Sequence, residues 1–517
     1  MEVGIIVIDI GMTNKKIAVY DENLVQRDVA YKNFPPVFVK DSGGNDIPCH
    51  DLEGMEEWFS FQIKAFAEKY NVRSIAVSTH GATFVCVGRD GKPCAPCVFY
   101  THEPGENFQR EFYGKCGSPD SLQKSTHTPR FSSMINMAKG IFFLQREFPK
   151  EFEKTALVLD YPQYWTFKLT GKACHETTFL SCHTYLWEQN RREWSDVVDK
   201  LGIRDKLPSI YMDTCGKLGT LTDEAAEKLS LDKSVVVSAG IHDSNASLLP
   251  YLAKNSGEDF ILNSTGTWCV SMHPSPNGEK NAVCADDDIG KVVFFNRSAL
   301  DFPVKTSIFL GGMELDFYAR LFRKANGLGD EFFPSSDMES ARKILLEKRV
   351  FVMPELVKGS GQFPDFESGI WQDGVFYKKD ELERMERLPP IVHDEKLFWA
   401  AVVVSAVIQS ETAFRRAGLS DGTWIFTEGG FRKNSLYNSL LASVLGKNKV
   451  CTTSLKEATA LGAAMTALMA SDGRALSDFE PLIDIEKNTV VGEDAGGYES
   501  YKKEWITKGA LKENESY

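Results

Sequence analysis

The sequence has no apolar run long enough to commit it to a membrane. Its longest apolar stretches, such as Leu397 to Ile408, fall short of the ~20 residues that a spanning helix needs. The N-terminal stretch carries Glu2 and no basic segment, and its short apolar run passes straight into a polar knot, so no signal peptide is expected. Positive charge is outnumbered: 59 Lys and Arg face 72 Asp and Glu, a formal net charge of −13. That balance argues against general affinity for nucleic acid or anionic membranes, which need clustered positive charge. It leaves room for a local cationic site that takes a phosphorylated small molecule. Two common nucleotide signatures are missing as well. There is no GxxxxGK[ST], so Lys16 is not a P-loop lysine, and no GxGxxG opens a helix after a strand. The eleven cysteines are odd in number and scattered, as expected of reduced thiols in a cytoplasmic protein. Cys94-Ala-Pro-Cys97 has no second CxxC at ribbon or finger spacing, and a turn containing Pro96 accounts for it. Together with the dipeptides Cys174-His175 and Cys182-His183 it predicts no structural zinc.

What is present reads as a folded α/β protein. At 517 residues the chain exceeds what one core usually supports, so two domains are the default. With 43% hydrophobic and 25% charged residues, extensive disorder is not expected. The segment from Val7 to Glu22, "VIDIGMTNKKIAVYDE", is two apolar runs split by Asp9, Gly11, Thr13 and Lys16, the pattern of a β-hairpin with a polar tip. A similar interruption, Ser264-Thr265-Gly266-Thr267, splits the apolar runs of "DFILNSTGTWCVSM" in the second half. Glycine lets backbone N–H groups approach a ligand closely, and hydroxyls add donors for phosphate oxygens. The echo predicts two domains of similar plan, each offering a hairpin turn to a shared cleft. Strand and helix signals alternate between and after these turns, which predicts α/β architecture. They include the strand "SIAVST" (Ser74–Thr79), a helix opening near Asp243, the strand "TWIFTE" (Thr423–Glu428) and a small-residue helix over Lys456–Ala470.

These pieces, taken in order, resemble the FGGY family of carbohydrate kinases, within the actin- and hexokinase-like nucleotide-binding superfamily. Asp9-x-Gly11-x-Thr13-x-x-Lys16 resembles the first phosphate motif, and "AGIHDSNAS" (Ala239–Ser247) the segment with the catalytic aspartate. "NSTGTW" (Asn263–Trp268) resembles the second phosphate motif, close to the form seen in rhamnulokinases. "TEGGFRKNSLYNSLLASVLG" followed by "EATALGAA" resembles the adenosine motif and the helix after it. The resemblance implies two ribonuclease H-like domains flanking a nucleotide- and sugar-binding cleft. It places the first domain at residues 1–245 and the second at 246–517, with the tail after about residue 476 packing back on the first.

The resemblance also implies roles. Asp243 is the expected base for the incoming hydroxyl; aspartate is also a favoured helix N-cap, and the two roles are compatible. Asp9 is expected to hold Mg²⁺, since a carboxylate beside phosphates needs a bridging cation. Gly11, Thr13, Ser264, Thr265, Gly266 and Thr267 would contact phosphate oxygens, and Gly429, Gly430 and Asn434 the adenosine. Lys16 is either a phosphate contact or a strand-edge lysine. Thr79, His80 and Gly81 stand where relatives contact the sugar, with a polar strand end as the plain alternative for His80. His102 and Glu103 occupy the place of the family's Asp-x-Arg element, to which imidazole and carboxylate are not equivalent. The expected activity is ATP- and Mg²⁺-dependent phosphorylation of a primary hydroxyl of a ketose. A 6-deoxyketose such as L-rhamnulose or L-fuculose is favoured over xylulose, ribulose or a polyol. The expected partners are a sugar and ATP, with no nucleic acid and no membrane, and the family admits a homodimer. A non-catalytic sugar or nucleotide sensor and an actin- or chaperone-like ATPase are the rival readings on the same fold.

Overall fold

The opening run Glu2–Ile10 (β1) is apolar on both faces from Gly4 to Ile8, the mark of a strand inside a covered sheet. In the computed structural model, which describes residues 1–275 and 280–511, β1 is central. It pairs antiparallel with Asn14–Tyr20 (β2), which pairs antiparallel with Gln26–Asn33 (β3). On its other side β1 runs parallel to Tyr70–Thr79 (β4). Beyond β4 lie Lys217–Thr220 (β5) and Val236–Ser238 (β6), giving the order β5-β6-β4-β1-β2-β3; Ile241–His242 (β7) also pairs with β4. The register sets Asp9 opposite Lys16 and beside Ser78, at the ends where the hairpin turns.

The helix Asp243–Lys254 (α1) then leads into a second sheet of the same plan. Phe260–Thr265 (β8) pairs antiparallel with Cys269–Pro274 (β9), and Val293–Arg297 (β10) and Pro303–Phe309 (β11) extend that side. On the other side β8 runs parallel to Trp424–Gly429 (β12), followed by Lys449–Thr452 (β13) and Asn488–Thr489 (β14). In both sheets, then, an antiparallel hairpin adjoins two parallel strands and an antiparallel edge. The echo between the two hairpins is therefore a repeat of topology. The fold is a mixed α/β arrangement of two domains.

The helix Glu395–Arg416 (α2) has 22 residues and is apolar enough, by length and composition, to cross a membrane. Of its most apolar window 89% is buried inside the protein, where it packs on the second sheet as a core helix. The helix Ala458–Asp472 (α3) crosses α1 between the two sheets, with the apolar side chains of both helices in one cluster with Ile5, Val7 and Phe426. The tail divides: Phe479, Ile483 and Ile485 join the cluster that holds Ile5, Tyr20 and Leu24 of the first sheet, as expected, whereas its last helix turns to the second domain. Tyr498, Tyr501 and Trp505 put an apolar stripe on the helix Tyr498–Ala510, and that stripe packs on the second domain. Tyr501 Oη donates to the Val350 carbonyl and Trp505 Nε1 to that of Val352, both at 2.7 Å. The expected continuation to residue 517 lies outside the described residues.

The α1–α3 crossing depends on Gly462. A Cβ there would lie 1.8 Å from the backbone oxygen of Ala246, which cannot move aside without bending α1. Helix propensity alone favours alanine over glycine by about 1 kcal/mol. Packing should reverse that sign: Gly462→Ala is expected to lower the unfolding free energy by about 1–3 kcal/mol, read by urea denaturation. A stabilised variant would contradict the crossing.

Candidate active site

Both interdomain helices begin at the cleft, and each begins with a carboxylate. Asp243 is the first residue of α1, where β7 ends, and its Oδ1 accepts the Ser244 N–H at 2.6 Å. Burial pushes its pKa up to about 6, against the opposing hydrogen bonds from Ser244. Its side chain is still 32% exposed, so it is reachable from the cleft. Glu457 immediately precedes α3 in a left-handed conformation, φ 56°. It accepts a short hydrogen bond from Lys16 Nζ and another from Tyr31 Oη at 3.2 Å.

Lys16 therefore does not point freely at a phosphate. It is 4% exposed and sits between Asp9, 3.2 Å away, and Glu457, joining the first hairpin to the second domain. Burial works to lower its pKa, but Asp9 and Glu457 outweigh it and hold it raised. Asp9 is raised too, first by burial; Lys16 opposes this, while Asp243 and Glu457 push it further. One ammonium among three carboxylates leaves a site short of positive charge. Asp9, at the hairpin mouth, fits a hard divalent cation of the Mg²⁺ type.

On one side of this cluster lies an open cavity of about 860 Å³, lined by Tyr20, Tyr31, Gly429, Gly430, Arg432 and Lys456 among others. Gly429 has φ 76°, and a Cβ there would fall 2.0 Å from the Thr265 carbonyl, so this turn lies directly on the second hairpin. Thr265 itself is committed to that contact: its hydroxyl donates to the Glu428 carbonyl and accepts the Phe431 N–H at 2.9 Å. Ser264 shares a hydrogen bond with the Glu428 carboxylate. Gly266 and Thr267 form the exposed tip, as Gly11 and Thr13 do in the first hairpin, where Gly11 is half-buried and Thr13 exposed. Asn434 is used as a helix cap, accepting the Tyr437 N–H at 3.0 Å, and does not line the cavity.

On the other side is a smaller pocket of about 190 Å³ with Asp243 on its wall. His80 and Gly81 line it. The Ile10 carbonyl at 3.0 Å can only accept, so His80 Nδ1 carries the proton and Nε2 accepts from Thr83 Oγ1 at 2.9 Å. Burial lowers its pKa to about 3, which keeps the ring neutral. Thr79 is fully buried, and its hydroxyl bonds the His80 carbonyl, outside the pocket. The structure does not bring His102 and Glu103 to this pocket. His102 packs edge-on to Phe143, and Glu103 accepts the backbone N–H of Ser133 at 2.9 Å beside a different crevice. Other residues take the places beside Asp243. Tyr100, Cys182, His183, His242 and Asn296 supply the polar wall, and Ile135, Trp268, Val270, Phe294 and Ile308 the apolar one. Some of these were visible in the sequence: His242 adjoins Asp243, Trp268 ends the second hairpin motif, and Cys182-His183 stood out as a dipeptide. Nothing in their spacing said that they converge.

Residues 4–250 match the N-terminal domain of the FGGY family of carbohydrate kinases, and residues 257–475 the FGGY carbohydrate kinase C-terminal domain. The chain is 23% identical to a rhamnulokinase of Oceanobacillus iheyensis over 438 residues, 83% of this chain and 85% of that protein. Its fold is similar to that of a carbohydrate kinase from Novosphingobium aromaticivorans (TM-score 0.76, 23% identity, 98% of this chain and 99% of that one). It is similar also to a ligand-bound xylulose kinase from Lactobacillus acidophilus (TM-score 0.77, 16% identity, 98% and 97%).

Replacing Lys16 with methionine removes the one cation from this carboxylate cluster. Loss of one partner from a buried pair costs about 3–5 kcal/mol, and Glu457, 43% exposed, can partly rehydrate. Lys16→Met is therefore expected to destabilise by about 3 kcal/mol in the presence of a chelator, with added Mg²⁺ restoring part of the loss. Thermal unfolding with and without Mg²⁺ reads both effects, and unchanged stability in the chelator would show that the pair contributes nothing.

Proposed function

The chain belongs to the FGGY family of carbohydrate kinases, and from that premise we propose that it transfers the γ-phosphoryl group of ATP to a primary hydroxyl of a 6-deoxyketose. Sugar kinases of this family use ATP, typically with Mg²⁺, and here the 860 Å³ cavity beside Gly429 and Gly430 is the place for the nucleotide. The observation that carries the reading is the position of Asp243, on the wall of the small pocket and electrostatically coupled to Asp9 across the hairpin mouth. We take the domain division at residue 245, just inside α1.

The chemistry follows from that placement. An acceptor hydroxyl in the small pocket gives its proton to the Asp243 carboxylate as its oxygen attacks phosphorus, and the donor's bridging oxygen leaves toward the large cavity. Backbone N–H groups of the exposed turn 11–13 and of Thr267 can donate to phosphate oxygens, with the Thr13 and Thr267 hydroxyls beside them, whereas the Gly266 N–H is already used on the Trp268 carbonyl at 2.9 Å. Mg²⁺ held at Asp9 would neutralise phosphate charge when bound. Closure of the two domains over the reactants excludes water, the competing acceptor.

Pocket chemistry supports the acceptor class. Among the described residues no lysine or arginine lines it, which fits a neutral, unphosphorylated sugar. Tyr100, His183 and Asn296 can bond hydroxyls, while Trp268, Phe294 and Ile308 offer an apolar wall to a C6 methyl group. Xylulose, ribulose or a polyol would leave that wall against a hydroxyl or against nothing.

ADP release measured across ketoses and polyols tests the proposal. Acceptor-dependent release, greatest with L-rhamnulose or L-fuculose, is expected. Acceptor-independent release would point to an ATPase, and no release to a sensor. Asp243→Asn should keep the fold and ATP binding while lowering kcat by roughly 10²–10⁴-fold. The base works only when ionised, and burial raises Asp243 to about 6. The kcat/KM of the native enzyme should therefore fall with acid below pH ~6 and level off above it. A profile flat to pH ~4, the range of an ordinary aspartate, would remove Asp243 from the role.

A further inference from the structure

We propose that Cys182, His183 and His242 form a binding site for a Zn²⁺-class divalent cation, separate from the Mg²⁺ expected at Asp9. Their ligand atoms lie within 4.8 Å of one another, and Cys182 Sγ is 3.8 Å from His242 Nε2. Four-coordinate zinc holds sulfur at about 2.3 Å and nitrogen at about 2.0 Å. Ligand atoms around it are then mutually about 3.3–3.6 Å apart, so side-chain rotations that draw the three atoms together by about 1 Å complete the set. One thiol and two imidazoles are donors of the softness that selects zinc over magnesium.

Four features of the surroundings support a built site. His183 Nδ1 donates to the Ile135 carbonyl at 3.1 Å, which fixes the tautomer and leaves Nε2 as a lone-pair donor. Burial and then the Asp243 charge keep the Cys182 thiol protonated while no cation is bound, and a hydrogen bond from Asn296 works in the opposite sense and would support the sulfur once a cation displaces its proton. His242 is 4% exposed, yet its Nδ1 has no partner among the described residues. Its Nε2 faces only Cys182 and, at 3.4 Å, Asp243 Oδ1. A buried imidazole so poorly bonded is short of a ligand. Finally, a Cβ at Gly81 would stand 2.8 Å from His242 Nε2 and 2.9 Å from His183 Cε1, so the two rings converge because residue 81 has no side chain.

Binding displaces the Cys182 proton to solvent, forms one metal–sulfur and two metal–nitrogen bonds, and leaves a fourth position facing the Asp243 carboxylate. The consequence for catalysis rests on the kinase reading: a cation there fills the acceptor pocket and engages the base. Zn²⁺ therefore inhibits in competition with the sugar and not with ATP.

The direct test is optical and needs no turnover. The full-length protein, freed of metal by a chelator, is titrated with Co²⁺ under anaerobic conditions and then with Zn²⁺. One equivalent of Co²⁺ should give the intense visible bands of a four-coordinate ion and a thiolate charge-transfer band in the near ultraviolet, both abolished by Zn²⁺. Cys182→Ser should lose the charge-transfer band, and His183→Gln should weaken Zn²⁺ binding at least ~10-fold. Cys94→Ser, remote from the cluster, should change neither. Absence of a stoichiometric Co²⁺ complex overturns the proposal, as does a complex without thiolate charge transfer. The wild-type spectrum decides even where a variant fails to fold. Inhibition that raises the sugar's apparent KM then links the site to the acceptor pocket, and a silent kinase assay with positive spectra would count against the kinase reading alone.

Discussion

The close crossing of α1 and α3, made possible by the missing side chain at Gly462, fixes the rest of the molecule. These two helices lie between the two sheets, and their apolar faces form the cluster that joins the domains. Each also carries a site carboxylate at its N-terminal end, Asp243 on α1 and Glu457 just before α3. The distance of helix approach thus sets how deep Asp243 sits in the cleft and whether Glu457 reaches Lys16. A wider crossing would separate the sheets and break the ion pairs at the hairpin mouth together.

Burial then tunes the chemistry of what the crossing brings together. Asp243 and Asp9 both lose water, and Asp9 is raised further by the charges of Asp243 and Glu457, so each holds its proton more tightly than a free aspartate. The same desolvation acts in the opposite sense on the imidazoles, lowering His80 and His183 to about 3 and His242 to about 4. The cleft therefore offers acidic oxygens on one side and neutral nitrogen lone pairs on the other. Carboxylates seek a cation or a proton, and neutral imidazoles bond hydroxyls or soft metals. Lys16, enclosed between Asp9 and Glu457, keeps the first group from flying apart.

Local pattern was a reliable guide to the elements. The hairpin around Gly11, the strand ending at Thr79, the helix opening at Asp243 and the small-residue helix after Glu457 all follow from apolar periodicity and turn residues. The repeat of sheet plan was legible in the pairing of "DIGMT" with "STGT". Assembly of the pocket was not legible. His102 and Glu103 lie near His80 in sequence, but His102 packs on Phe143 and Glu103 lines another crevice, whereas His183 and His242 come from distant segments and meet at Gly81. Asn434 and Thr265 had the right chemistry for a nucleotide, and the fold uses both for its own backbone hydrogen bonds. The tail was expected on the first domain, and only the fold shows Tyr498, Tyr501 and Trp505 covering the second.

The sequence by itself determined the α/β elements, the two glycine-threonine turns and the places of Asp9 and Asp243 at element ends, because hydrogen bonding and apolar period act over a few residues. Only the tertiary structure decided which side chains share a cavity, since that depends on where strands from separate segments end. It made Lys16, which the sequence left open between a phosphate contact and a strand-edge lysine, a strut between domains. It also turned the unassigned dipeptide Cys182-His183 into part of a three-ligand cluster, because His242 lies sixty residues away along the chain and within 4 Å of Cys182 in space.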